Sequence, residues 1–392
     1  MSGEPRIRFA ERISHLPPYL FAELDKLRDK KRAAGVDVIS LGIGDPDLPT
    51  PSSVIEALER TARDPDNHRY PEYYGLDDLR TAIADWYMRR FKITLDPDTE
   101  IVPLIGSKEG IAHLPLALVN PGDLVLVTDP GYPVYTIGTM LAGGTPHYLP
   151  LTSANRWLPN LSEIPAQTLE RTQLLWLCYP SNPTAAVAPY EFLEQAVAFA
   201  RTHGLLIAQD AAYSEVTYDG YRCRSILEVP GASDVAVEFH SLSKTYNMTG
   251  WRIGWMAGNA EVVEALGRVK TNIDSGIFQA VQYAGIAALD LPQEWIDERN
   301  LHMQRRRDQT LSALQSIGLK PETPLASLYV WCPVPDGHTS VEFAERLIEE
   351  VGVLVTPGVG FGSAGEGYFR ISLTTPDNRL EEALDRIATL TF

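Results

Sequence analysis

Between residues 123 and 258 the chain repeats one theme: a short apolar run, a polar or Gly/Pro-rich turn, then a stretch with apolar residues at helical spacing. The runs are DLVLVTD (Asp123–Asp129), QLLWLCY (Gln173–Tyr179), LLIAQD (Leu205–Asp210), VAVEFHS (Val235–Ser241) and IGWMAG (Ile253–Gly258). They predict strands, and their alternation with helical patterns predicts βαβ units around a largely parallel sheet. From about Gln293 the pattern changes. A long charged helical stretch, EWIDERNLHMQRRRDQTLSALQSIG, leads into YVWCPVP, an amphipathic helix near Val341–Val351 and the strand YFRISL, which together read as a smaller α+β unit.

At 392 residues the chain has length for two domains and a substantial core. A net charge of -17 argues against a nucleic-acid backbone as partner, leaving room for a small anionic substrate where the surface is locally basic. The opening MSGEPRIRFAERISHLPPYLF has no apolar run of signal-peptide length, and no stretch approaches the roughly 20 apolar residues that span a bilayer, so a cytoplasmic place without membrane contact is expected. Cys178, Cys223 and Cys332 are far apart and form no C-x-x-C pair, so neither a disulfide nor a metal site is expected.

The densest chemistry lies in SLSKTYNMTGWRIG (Ser241–Gly254). A lysine amine condenses with a carbonyl only when deprotonated, which requires burial or nearby positive charge. Arg252 supplies such a charge beside Lys244, while the Ser241 and Ser243 hydroxyls and the arginine fork suit a phosphate dianion. Together they describe a cofactor with a phosphate at one end and a carbonyl at the other, pyridoxal 5'-phosphate; the plain alternative is a surface loop. Asp210 ends an apolar run, where a buried carboxylate would hold a pyridine nitrogen protonated, or merely cap a helix. Tyr213 and Asn182, the latter in the turn-forming YPSNPT, are donors suited to the ring's phenolic oxygen. IGSKEG (Ile105–Gly110) enters a helical pattern as a phosphate cradle would, and Tyr132 in DPGYPVY is placed to stack on a ring or to fill a turn. Arg370, alone in the apolar YFRIS, calls for a carboxylate partner, either a substrate's or one of the chain's own.

On these residues the chain resembles the class I/II aminotransferases of the fold-type I pyridoxal phosphate superfamily over nearly its whole length. The resemblance implies an α/β fold, with a large domain (49–290) built on a mostly parallel seven-stranded sheet between helices. It also implies a smaller α+β domain (291–392), to which the N-terminal segment 1–48 contributes. By that similarity Lys244 bonds the cofactor and shuttles the proton, Asp210 pairs with the pyridine nitrogen, and Asn182 and Tyr213 with the ring oxygen. Ser241, Ser243, Arg252 and the backbone of Ser107 and Lys108 would hold the phosphate, Tyr132 would stack on the ring, and Gly44 and Arg370 would line the substrate's place. Tyr70 looks like the tyrosine that reaches the neighbouring subunit's phosphate, which implies a homodimer with shared active sites.

A narrower likeness is to the LL-diaminopimelate aminotransferase group, on LGIGDPDLPTP (Leu41–Pro51), PLIGSKEGIAHLPLALVNPGD (Pro103–Asp123), FHSLSKTYNMTGWRIGW (Phe239–Trp255), KTNIDSGIFQAVQ (Lys270–Gln282) and TPGVGFGSAGEGYFRISL (Thr356–Leu373). It implies amino-acid and 2-oxo-acid substrates. For the distal end of a diaminopimelate it points to Tyr19 and Lys108, with Glu72 and Asn272 from the partner subunit; each of these could equally be an ordinary surface residue. Ala185 departs from the family's usual NPTG, placing a Cβ where glycine would allow unusual backbone angles. An amino-acid aminotransferase of broader range and a lyase of the same fold remain open at this level. A nucleotide-binding enzyme is disfavoured, since neither G-x-G-x-x-G nor G-x-x-x-x-G-K-[ST] follows a candidate strand.

Overall fold

The structure is a computed structural model and describes residues 7–391; Met1–Arg6 and Phe392, which fall in the expected first and last domain ranges, lie outside the described residues. The strands, in chain order, are β1 (Ile39–Ser40), β2 (Ile101–Leu104), β3 (Leu124–Asp129), β4 (Thr145–Pro150), β5 (Thr172–Cys178), β6 (Leu206–Asp210), β7 (Ala236–Ser241), β8 (Gly254–Gly258), β9 (Tyr329–Pro333), β10 (Val353–Leu354), β11 (Thr356–Pro357) and β12 (Tyr368–Ser372). Seven of them form one sheet in the order β2-β8-β7-β6-β5-β3-β4. β3, β4, β5, β6 and β7 run parallel, and β8 is antiparallel to both its neighbours. All five strands expected between Asp123 and Gly258 are present in the sheet, together with β2 and β4, its two edges.

Helices cover both faces, which is why the central strands are buried at nearly every position rather than at alternate ones. Leu174, Trp176 and Cys178 of β5 face a cluster with Ile111 and Leu114 of the helix Ser107–Leu118. Leu175 and Leu177 face the opposite cluster with Phe192, Leu193 and Ala196 of the helix Tyr190–His203. A fully buried leucine or valine contributes about 1.5–3 kcal/mol, so this two-sided core dominates the stability of the sheet.

A second, three-stranded antiparallel sheet has the order β11-β12-β9, and β1 pairs in parallel with β10. The helix Gln293–Ser316 packs beside this part of the chain and contributes Met303, Leu311 and Leu314 to its core. We propose the residue-49 and residue-291 divisions as the domain boundaries; the pairing of Ile39 with Val353 supports placing the N-terminal segment with the C-terminal one.

Ala185 adopts a φ of 57°, in the left-handed region, and its methyl is buried in that same core. The loop is closed by the Ser181 N–H donating to Ala186 O (2.8 Å) and the Ala185 N–H donating to Ser181 O (3.1 Å). The left-handed conformation costs a non-glycine residue about 1–2 kcal/mol. Glycine would relieve that, but would forfeit about 0.8 kcal/mol of methyl burial and gain unfolded-state entropy. The two nearly cancel: Ala185→Gly should change the unfolding free energy by less than about 1 kcal/mol in a denaturant titration, whereas a loss above about 2 kcal/mol would show that packing of the methyl dominates.

Candidate active site

The chemistry-bearing residues gather where the parallel strands end. β5 runs out at Cys178 into Tyr179–Asn182, β6 ends on Asp210 with Cys178 and Phe239 as its register partners, and β7 ends on Ser241, the cap of the short helix Leu242–Thr245 that carries Lys244. Carboxyl ends of parallel strands are where α/β sheets bind ligands, because loops and helix N-termini converge there.

Lys244 donates from Nζ to Gly44 O at 2.5 Å. Burial is the main reason that its amine is brought down from 10.5 to about 8, with Arg370 and Arg252 pushing the same way and Asp45 opposing. Asp210 is buried, accepts from Tyr135 Oη (2.8 Å) and from the Ala212 N–H (3.2 Å), and is held above the ordinary carboxylate range by burial. Tyr213 shares a hydrogen bond of 2.9 Å with Tyr329, and both rings lie by Arg370, whose guanidinium is 3.9 Å from the Tyr329 ring centre. Arg370 donates to Asn182 Oδ1 (2.7 Å) and to Gly42 O (2.6 Å), so it joins β12, the Asn182 turn and the N-terminal segment.

The phosphate-cradle reading meets a specific geometry. Gly106 precedes the helix Ser107–Leu118 with φ 75°, and a Cβ there would run into the Arg252 guanidinium. The first N–H groups of a helix have no intrahelical acceptor, and the Ser243 hydroxyl, buried nearby in the chain's turn after β7, makes no hydrogen bond. Ser241 instead caps its own helix, accepting from the Ser243 N–H at 3.2 Å. Arg252, itself in the left-handed region, donates to Thr249 O.

Tyr132 packs edge-on to Tyr135 at 5.7 Å, and its hydroxyl is raised by burial, then by Tyr19 and Asp210. Lys108 donates to Tyr19 Oη at 3.1 Å and lies 4.3 Å from that ring's centre, so the two distal candidates meet at the rim. Gly44 has no room for a side chain against the Tyr329 hydroxyl. Tyr70, Glu72 and Asn272 lie exposed on the surface of this chain, Tyr70 at 86%. Sequence reasoning passed over Tyr135, three residues after Tyr132, and also Tyr329, Asp45 and Arg299. The signal for Tyr135 was its repeat of a tyrosine in DPGYPVY; Tyr329 had none beyond its place at the head of an apolar run.

Among the described residues no helix is long and apolar enough to cross a membrane, and no cluster of His, Cys, Asp and Glu could hold a metal ion.

Residues 36–387 match the family described as aminotransferase class I and II. The chain is 57% identical to an LL-diaminopimelate aminotransferase of Desulforudis audaxviator, covering 96% of each, and 54% identical to one of Aquifex aeolicus, covering 97% of this chain and 99% of that one. Among solved structures, substrate-bound BacF from Bacillus subtilis superposes with a TM-score of 0.94 at 34% identity, covering 98% of both chains. An aspartate aminotransferase from Thermotoga maritima superposes at 0.89 and 31% identity, covering 97% of this chain and 99% of that one. With a lysine and a buried aspartate at the strand ends of one sheet, an arginine reaching them from another, and this match over nearly its whole length, the chain belongs to the class I and II aminotransferase family.

Proposed function

We propose that this aminotransferase uses pyridoxal 5'-phosphate to move an amino group from LL-2,6-diaminopimelate to 2-oxoglutarate, in lysine biosynthesis, as a cytoplasmic homodimer with shared active sites. The single observation that carries the substrate is the identity of 51–57%, over nearly the whole chain, to relatives named LL-diaminopimelate aminotransferase.

The residues fit the cofactor. The orphaned Ser243 hydroxyl, the open Gly106 turn and the adjoining Arg252 suit its phosphate, together with Ser241 and the N–H groups of Ser107 and Lys108. Asp210, which burial disposes toward holding a proton, suits its ring nitrogen; Asn182 and Tyr213 suit the ring oxygen, and Tyr132 the ring face. When bound, this cofactor supplies an electron sink and a carrier for the amino group.

The chain's own residues then have distinct tasks. Lys244, with an amine that loses its proton near pH 8, takes the proton from the substrate's α-carbon and returns one during the reverse half of the cycle. Arg370 offers a planar fork to the substrate's α-carboxylate, with Asn182 and Gly42 O orienting it and Gly44 keeping the approach open. Tyr19 and Lys108, with Glu72 and Asn272 of a second copy, would meet the distal ammonium and carboxylate. Exposed Tyr70, Tyr73, Ile273 and Phe278 support a covered face there, since the 70–76 and 272–278 segments adjoin: a Cβ on Gly276 would touch Pro71.

The aspartate aminotransferase among the structural neighbours favours, as a second reading, a broader amino-acid aminotransferase. Spectroscopic half-reactions of the cofactor-loaded enzyme with LL-diaminopimelate, glutamate, aspartate and alanine separate the two. The proposal expects diaminopimelate and glutamate to convert the cofactor at kcat/KM values at least about tenfold above the others, one pocket contact's worth of discrimination. No response to diaminopimelate leaves the broader enzyme.

A further inference from the structure

Two arginines on one helix grip the two segments between which the Lys244 amine lies. The helix is Gln293–Ser316. Arg299 and Arg306 are seven residues apart, which on an α-helix is about 10 Å along the axis and only about 20° around it, so both point the same way. Arg299 donates to the carbonyl oxygen of Lys244 itself (3.1 Å) and to that of Glu215 (2.9 Å), bridging the segments that follow β7 and β6. Arg306 binds both carboxylate oxygens of Asp47, at 2.6 and 2.9 Å, and also Leu373 O and Asp377. Asp47 lies three residues beyond Gly44, whose carbonyl receives the lysine amine. The same loop is tied further on, where Thr50 donates to Asn247 O and Asn247 to Pro49 O.

Both guanidinium groups are buried, Arg306 at 2% exposure and Arg299 at 6%. Burying a cation costs several kcal/mol before its contacts return anything, and an apolar side chain would hold a helix down more cheaply. A planar fork spanning two carbonyls from different segments, or both oxygens of one carboxylate, fixes a distance in a way that an apolar contact does not.

We propose that Arg299 and Arg306 are positioning residues that together set the separation between the Lys244 segment and the Gly44 segment, so that this one helix fixes where the lysine amine stands. The proposal rests on the reading of Lys244 as the reacting lysine. Neither arginine touches the amine; each acts through the backbone that carries it or faces it. Groups that do face the amine are Asp45 from the N-terminal loop, Arg370 from β12 and Arg252 from the turn after Lys244, and its burial among them is what the spacing maintains.

The test measures the amine's surroundings without turnover. The full-length chain is freed of cofactor, treated with an amine-selective acylating reagent across a range of pH, and labelling at Lys244 is quantified by peptide mass spectrometry. The native chain should be half-reactive near pH 8. Arg299→Gln and Arg306→Gln should each move that midpoint upward by more than about half a unit as the amine becomes hydrated. Combining them should add little, because both act on one spacing, and Arg306→Lys, which keeps a charge beside Asp47 but not the fork, should recover only part of the native value. If Arg299→Gln does not fold, Arg299→Lys, which keeps the charge but not the fork, carries the same comparison. Midpoints that stay at the native value in folded variants overturn the proposal. A Lys244→Ala enzyme that kept its turnover would instead overturn the catalytic reading and leave the labelling result interpretable.

Discussion

Lys244→Ala should abolish amino transfer, lowering kcat by at least about 10⁴-fold, the upper range for removing a general base, with the covalent role lost as well. The chain nevertheless folds. The side chain makes one hydrogen bond, to Gly44 O, and its amine stands at a cost of burial that the variant no longer bears. Thermal unfolding of the cofactor-free variant is therefore expected at or above the native temperature, a pattern common where function is installed against stability. Lys244→Arg sharpens the reading. It keeps the cation next to Gly44 but carries a group that stays protonated at any pH the protein tolerates, so it too should be inactive. Activity is followed as 2-oxo acid released per enzyme in single-turnover experiments; a few per cent of native rate in either variant would remove Lys244 from the chemistry.

Asp210→Asn should slow turnover by about 10²-fold or more, the scale of removing one preorganised electrostatic contact, while stabilising the cofactor-free chain at neutral pH. The two effects have one cause. Burial raises the carboxyl above its ordinary value of 3.8, so between that value and the raised one the folded chain holds a proton that the unfolded chain has released. Stability then falls as pH rises through this window, and above it the folded state bears the full cost of the buried charge. An amide bears none: its single oxygen keeps the bond from the Ala212 N–H, and its NH2 takes the place of the oxygen that accepts from Tyr135 Oη, donating to that hydroxyl instead. The variant should gain on the order of 1 kcal/mol at pH 7, shrinking to nothing as pH falls toward 3.8. Denaturant titrations at a series of pH values check the sign; a variant less stable than native at pH 7 would show that the hydrogen bonds of the charged form outweigh its desolvation.

The strands that pattern reading found and those it missed differ by position in the sheet. β3, β5, β6, β7 and β8 are interior, buried on both sides and free of proline within their bounds. β2 and β4 are the edges, and they read as IVPL and TPHYLP. Proline and polar residues are tolerated where one side of the ladder has no partner, and they are also what makes a strand look like a loop. The site divides in a similar way. Lys244, Asp210 and Asn182 stand at or just past the ends of apolar runs, and Arg370 stands alone inside one, places where a polar residue is conspicuous. Tyr329, Tyr135 and Arg299 act through partners far off in sequence: Tyr213, Asp210 and the Lys244 carbonyl. A tyrosine in an apolar run or an arginine in a charged helix carries no local mark of such a partner.

The pairing of β1 with β10 has a consequence for synthesis. The segment that receives the lysine amine is completed by chain made 314 residues later, through the pairing of Ile39 with Val353 and the bond from Thr356 Oγ1 to Gly42 O. At about 5–20 residues per second, a ribosome takes on the order of 15–60 s to make that stretch, during which the seven-stranded sheet can be finished while residues 39–44 have no strand to join. The nascent chain thus acquires its scaffold well before its lysine acquires its surroundings, and a chain cut short before Val353 would hold a formed sheet with an unbuilt site.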